Sequence, residues 1–174
     1  LGAGAGYAGD RIPPAVALAE KGQLDYLVFE CLAERTIALA QLEKLKNPQS
    51  GFDPLLKARM KAVLPACMAN GTRIITNMGA ANPMQAGQEV LAVAKELGLH
   101  KLKVAVVLGD DVLALLQTDY LSTPLIDSTH TVADIQPLLV SANAYLGAEA
   151  LLPALRTEAH VIVCGRVADP ALFL

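Results

Sequence analysis

The sequence predicts an α/β fold: a mainly parallel sheet with helices on both faces, three layers in the Rossmann-like manner. Three observations predict it. Short apolar runs at residues 24–29, 72–76, 102–108 and 160–164 alternate with helical stretches, the order that gives parallel strands joined by crossovers. The runs show little polar alternation, as expected of strands covered on both faces. Each run ends in polar residues: Glu30, Asn77, the Asp110–Asp111 pair and Arg166. Ligands of parallel sheets bind beyond the carboxyl ends of the strands. A partial (β/α) barrel places its site in the same way and is the alternative architecture.

The elements follow in order. Asp10 is placed to cap a first helix that carries Pro13 and Pro14 in its first turn and stops at Gly22. Residues 25–29 form a strand, and residues 32–46, rich in Ala and Leu, a second helix ended by Asn47–Pro48. A turn-rich link at 47–53 leads to a third helix over 54–69, bent near Pro65 and stopped at Asn70–Gly71. After the strand at 72–76, Asn82, Pro83 and Gln85 have the spacing of a capping box. The helix they open would bury Val90, Leu91, Ala94 and Leu97. Residues 103–108 are the most strand-like segment, and one of Asp110 and Asp111 caps the helix beyond. Periodicity fails over 118–140, which predicts a lid or excursion with a short strand at 138–140. A helix over 148–158 precedes the last strand, and Asp169–Pro170 opens a final turn.

A chain of 174 residues with 53% apolar content buries a core of ordinary single-domain size. A glycine-rich turn without a strand before it and a one-turn helix at the end suggest an amino-terminal piece of a longer protein. Net charge is -3 with both signs interspersed, and Trp is absent, which speaks against a nucleic-acid surface. No apolar run reaches the roughly 18 residues of a membrane helix. Three unpaired-looking cysteines without zinc spacing suggest a reducing cytoplasm and no metal site.

The stretch Gly4-Ala5-Gly6-Tyr7-Ala8-Gly9 has the Gly-x-Gly-x-x-Gly pattern of dinucleotide sites, and Glu30 supplies an acid at the end of the next strand. Pro13 and Pro14 oppose that reading. In a helix begun at the third glycine they would lie about two turns inside, where proline costs about 3 kcal/mol. NAD or FAD binding is therefore the lesser alternative to a general anion- or ligand-cradling loop, with a plain tight turn as the third. Glu30 is a rigidly held candidate base, with Glu34 a turn away. Asp10 and Asp110 are further carboxylates of the rim; Asn77 and Asn143 can donate to a developing oxyanion. Arg11 and Arg166 can anchor a carboxylate or phosphate. Cys31 and Cys164 read as small buried hydrophobes rather than nucleophiles.

Gly4 to Arg11, the run from Leu24 to Thr36, and Thr76 to Pro83 carry a resemblance that continues at Gly109-Asp110-Asp111, Ser141 to Ala148, and Gly165 to Asp169. On these motifs the chain resembles the amino-terminal domain of the acyclic terpene utilisation AtuA family. The resemblance implies a bacterial catabolic context of acyclic terpenes and acyl-CoA breakdown, as in citronellol and geraniol pathways. It also implies a domain longer than this chain. The expected function is an enzyme acting on a branched acyl-CoA or carboxylate, a hydratase-type lyase or an isomerase using carboxylate acid/base chemistry. Glu30, Asp110, Asp10 and Asn77 would be catalytic. Gly4, Gly6, Tyr7, Gly9, Arg11, Asn143, Tyr145 and Arg166 would bind substrate. A dinucleotide-dependent oxidoreductase and a non-catalytic subunit of an acyl-CoA-processing complex are the alternatives; a homo-oligomer or such a complex is the expected assembly.

Overall fold

The computed structural model describes residues 1–174. Five short strands, β1 (Gly2–Ala5), β2 (Tyr26–Phe29), β3 (Arg73–Thr76), β4 (Val104–Val107) and β5 (Val161–Cys164), form one open sheet. The order is β1-β2-β3-β5-β4 and every pair is parallel. The sheet does not close, so the architecture is the layered one and not a barrel. Seven helices accompany it: α1 (Ile12–Lys21), α2 (Glu34–Lys46), α3 (Leu56–Asn70), α4 (Pro83–Glu96), α5 (Leu113–Thr118), α6 (Val132–Ile135) and α7 (Leu152–Leu155). None is long and apolar enough to cross a membrane.

Strand alternation assigns the layers, because successive side chains face opposite sides. Leu27, Phe29, Ile74, Val161 and Val163 join a core of 20 buried residues built with α1, α3 and α4. Val28, Ile75, Ile162 and Cys164 face a smaller core of 11, closed by Leu151, Ala154, Ala159, Ala171 and Leu172. Connections after β3 and after β5 thus leave on opposite faces. That divergence is where a crevice opens in doubly wound sheets, but here two glycines close it. A Cβ on Gly165 would lie 2.8 Å from Ala80 O, and one on Gly79 would run into Cys164 O.

Several expectations are corrected. Residues 2–5, read as part of a glycine turn, form the edge strand β1. Asp10 does not cap α1; Arg11 occupies that position without a side-chain cap. Asn82 precedes α4, but its Nδ2 donates to Pro48 O (2.9 Å) and Ser50 O (2.7 Å), so no capping box forms. The buried stripe of α4 is Ala86, Val90, Val93 and Ala94, with Leu91 and Leu97 exposed. The strand expected at 138–140 is absent; Gln136–Leu138 is a 3-10 turn. The helix expected over 148–158 is reduced to a 3-10 turn, Ala148–Ala150, and the single turn α7. Pro65 is accommodated inside α3, and Gly71 ends that helix at φ 70°.

Candidate functional site: a polar rim at the carboxyl ends of the strands

Asn77 follows β3, is fully buried and has two tasks. Its Oδ1 accepts the Cys31 amide (2.7 Å) and its Nδ2 donates to Glu30 Oε1 (2.9 Å). The Leu32 amide donates to the same oxygen (3.1 Å). Glu30, half-buried at the end of β2, is thereby held by Oε1, while Oε2 accepts no hydrogen bond within the chain. Such a carboxylate is fixed in direction with one oxygen left for chemistry. Asn77, expected to face a ligand, instead spends its amide on positioning Glu30.

The glycine loop lies beside it. Gly4 is buried in β1, where a Cβ would meet the Phe29 ring at 2.7 Å, so this glycine serves packing. The Gly6 amide donates to Asp10 Oδ2 (2.7 Å), so Asp10 fills the position an external anion would take at that amide. The amides of Tyr7, Ala8 and Gly9 have no partner within the chain. Arg11, at the N-cap of α1, is exposed and makes no ion pair.

Beneath the loop lies a residue the sequence reading missed. Arg59 of α3 is 1% exposed. Its Nη2 donates to Ala8 O (2.9 Å) and Asp10 O (3.1 Å), and its Nη1 to Cys31 Sγ (3.1 Å). Asp53 Oδ2 lies 3.6 Å from Nη1. One guanidinium thus ties together the loops after β1 and β2 and the link before α3. A signal was present: Arg59 sits at helical spacing from Leu56 and Val63, inside the buried stripe of α3. Burial pushes the Cys31 thiol up to about 12 against the opposing pull of Arg59, so it stays a neutral thiol. Burial likewise pushes Cys164 up.

The β5–β4 side is built differently. Asp110, buried after β4, accepts the Arg166 amide (2.8 Å) and Asn143 Nδ2 (3.0 Å) at Oδ2. Asp111 Oδ1 accepts the Leu113 amide (3.2 Å) at the start of α5. Of that pair, Asp111 serves the helix and Asp110 faces the rim. Arg166 is 2% exposed and donates from Nη1 to Leu32 O (2.6 Å), from Nε to Val167 O (3.1 Å) and from Nη2 to Asp169. The Tyr145 ring lies on its guanidinium, 4.2 Å to the centroid. The expected substrate anchor is therefore engaged inside the fold. The Tyr145 hydroxyl donates to Glu34. That hydrogen bond holds the Glu34 carboxyl below its ordinary range and the Tyr145 phenol above its own.

Over residues 1–174 the chain matches the family described as acyclic terpene utilisation family protein AtuA. It belongs to the AtuA family. No curated protein and no solved structure matches it.

In this AtuA chain the sheet brings Glu30, Asn77, Asp110, Asn143, Tyr145 and Arg166 into one connected network along the rim. Glu30 and Asn77 are in contact, and the Leu32 peptide joins them to Arg166 through its amide and carbonyl. Asp10, Gly6, Tyr7, Gly9 and Arg11 lie at the β1 end of the same rim, joined through Arg59 and Cys31. Two cavities flank α2. The larger, about 420 Å³, is bordered by Ala8, Cys31, Leu32, Leu39, Ala40 and Phe52 among others. The smaller, about 220 Å³, lies between Glu34, Ile37, Asn143, Tyr145 and Arg166. Glu30 lines neither. No group of three or more His, Cys, Asp or Glu side chains is placed to share a metal ion.

Proposed function

We propose that this AtuA-family protein is an enzyme that acts on a branched acyl-CoA or related carboxylate by acid/base chemistry, with Glu30 as the base. The observation that carries the reading is the pinned carboxylate: Oε1 held by Asn77 Nδ2 and the Leu32 amide, Oε2 without a partner. A base held in direction needs little reorganisation to take a proton from the carbon beside a thioester carbonyl. The enolate oxygen formed then requires donors, which the unpartnered amides of Tyr7, Ala8 and Gly9 supply. Arg11, the exposed cation beside that loop, suits the carboxylate or phosphate end of the substrate. Returning the proton to a different carbon isomerises a double bond. Expelling a β-hydroxyl, with that proton, as water makes the reaction a dehydration.

The dinucleotide alternative has less support. Its fingerprint places the pyrophosphate on a helix that starts at the third glycine, with the glycine turn at the switch in strand order. Here Gly4 is inside an edge strand, α1 begins only at Ile12, and the Gly6 amide is occupied by Asp10.

Proton abstraction can be read whichever product forms, as deuterium uptake beside the thioester carbonyl of branched acyl-CoA substrates in heavy water. With the full-length protein, Glu30→Gln is expected to slow that exchange by about 10²–10⁴-fold at a nearly unchanged melting temperature. Exchange at the wild-type rate in E30Q removes Glu30 from the mechanism.

A further inference from the structure

Glu30 does not line the cavity of about 420 Å³ beside α2, although the adjacent Cys31 and Leu32 do, and none of the residues expected to bind substrate lines it. Apart from the Ser50 hydroxyl, its polar neighbours are already engaged. Asp53 Oδ1 accepts the Leu55 amide (2.7 Å) and Oδ2 faces Arg59. The Cys31 sulfur accepts from Arg59 Nη1, and Thr36 Oγ1 accepts the Ala33 amide (2.7 Å) and donates to Ala33 O (2.9 Å). Glu43 pairs with Lys46 at 2.8 Å. A polar ligand group placed here would give up water and find few partners in return, a net cost. Most of the remaining wall is apolar, with Leu32, Leu39, Ala40, Phe52, Met78 and Ala80 as its main side chains.

We infer that this cavity holds the hydrocarbon chain of the ligand, with the anionic head left outside, over Ala8. Ala8 lines the cavity and also belongs to the loop whose amides, from Tyr7 to Gly9, lack partners. A ligand lying across Ala8 therefore meets apolar wall on one side and unpaired donors on the other. The head-group half of this inference rests on the acyl-substrate reading above; the chain half rests on the cavity alone. At roughly 30 Å³ for each water-sized group, the volume of about 420 Å³ has room for at most about fourteen carbon-sized groups.

Two residues set the available length. Ala40 is a small, buried part of the wall next to Gly51, where even an added Cβ would come within 3.2 Å of Ala40 O. Leu39 is half-exposed at the cavity edge. Ala40→Phe fills the cavity, and Leu39→Trp, a surface change with little risk to folding, obstructs it.

The experiment is calorimetric titration of the full-length protein with straight-chain carboxylates from hexanoate to tetradecanoate. Affinity is expected to rise about fourfold per methylene and to level off when the cavity is full. Either variant should bring that plateau two or three methylenes earlier, weakening the longer chains about 16- to 60-fold. Affinity independent of chain length overturns the inference, as does an unchanged plateau in L39W. The titration needs no turnover, so it separates from the test of Glu30. A flat profile with loss of proton exchange in E30Q defeats only the chain cavity. A rising, saturating profile with exchange intact in E30Q defeats only the role of Glu30.

Discussion

Arg59 and Arg166 are both buried guanidinium groups beneath the rim, one on the β1–β3 side and one on the β5–β4 side. They differ in what they hold. Arg59 takes backbone carbonyls of the glycine loop and a sulfur, and its ion partner Asp53 is buried with it, its side chain 5% exposed. Arg166 takes two carbonyls, lies under an aromatic ring and pairs with Asp169, whose side chain is 62% exposed. On the Arg59 side Glu30 Oε2 and three loop amides are left without partners within the chain. On the Arg166 side Asp110, Asn143, Tyr145 and Arg166 largely satisfy one another. The comparison teaches that a row of polar strand ends can divide its labour: one side leaves groups for chemistry and the other fixes the scaffold.

Removing each cation tests that division. Arg59→Met leaves the buried Asp53 with no counter-ion, and leaves Ala8 O and Asp10 O without donors. Loss of one partner from a buried pair costs about 3–5 kcal/mol, so the largest fall in stability to denaturant is expected here. Arg166→Met should cost less. Asp169 is free to regain water, and the surviving penalty is the loss of hydrogen bonds to Leu32 O and Val167 O, about 1–3 kcal/mol. Equal destabilisation in the two unfolding curves would erase the distinction.

Tyr145→Phe is the gentlest probe, since the phenol and Glu34 are both at the surface. The hydrogen bond from Tyr145 is the main reason the Glu34 carboxyl lies below its ordinary range, so the variant should return Glu34 toward that range in an NMR titration. A depressed carboxyl contributes stability above its unfolded pKa and loses it as pH falls through the folded one. Any difference in melting temperature between wild type and Y145F should accordingly be small at neutral pH and vanish in acid. A Glu34 titration identical in both proteins would show the contact to be of no consequence.

Much of the fold was legible in the sequence, because Leu27-Val28-Phe29, Ile74-Ile75 and Val161-Ile162-Val163 are apolar and, Leu27 apart, β-branched or aromatic, as suits two-sided strands. The edge strand β1 was not, since Gly-Ala-Gly-Ala has no strand preference of its own. It forms because Gly2 and Gly4 admit Leu24 and the Phe29 ring against the backbone. Asp10 and Asn82 had the local spacing of caps, but the Gly6 amide and the carbonyls of Pro48 and Ser50 recruited their side chains. Which polar residues end the strands was readable. Which of them are consumed by one another was not, because that depends on contacts such as Arg166 to Leu32, 134 positions apart.

The tight passage of Gly79 and Gly165 bears on how the molecule can breathe. With Ala80 O and Cys164 O filling the gap between the β3 and β5 ends, the sheet has no hinge there about which to splay. Any gating on the way to Glu30 must then come from the outer segments, α2 and the connection from Ser141 to Gly147, moving over a floor that stays still.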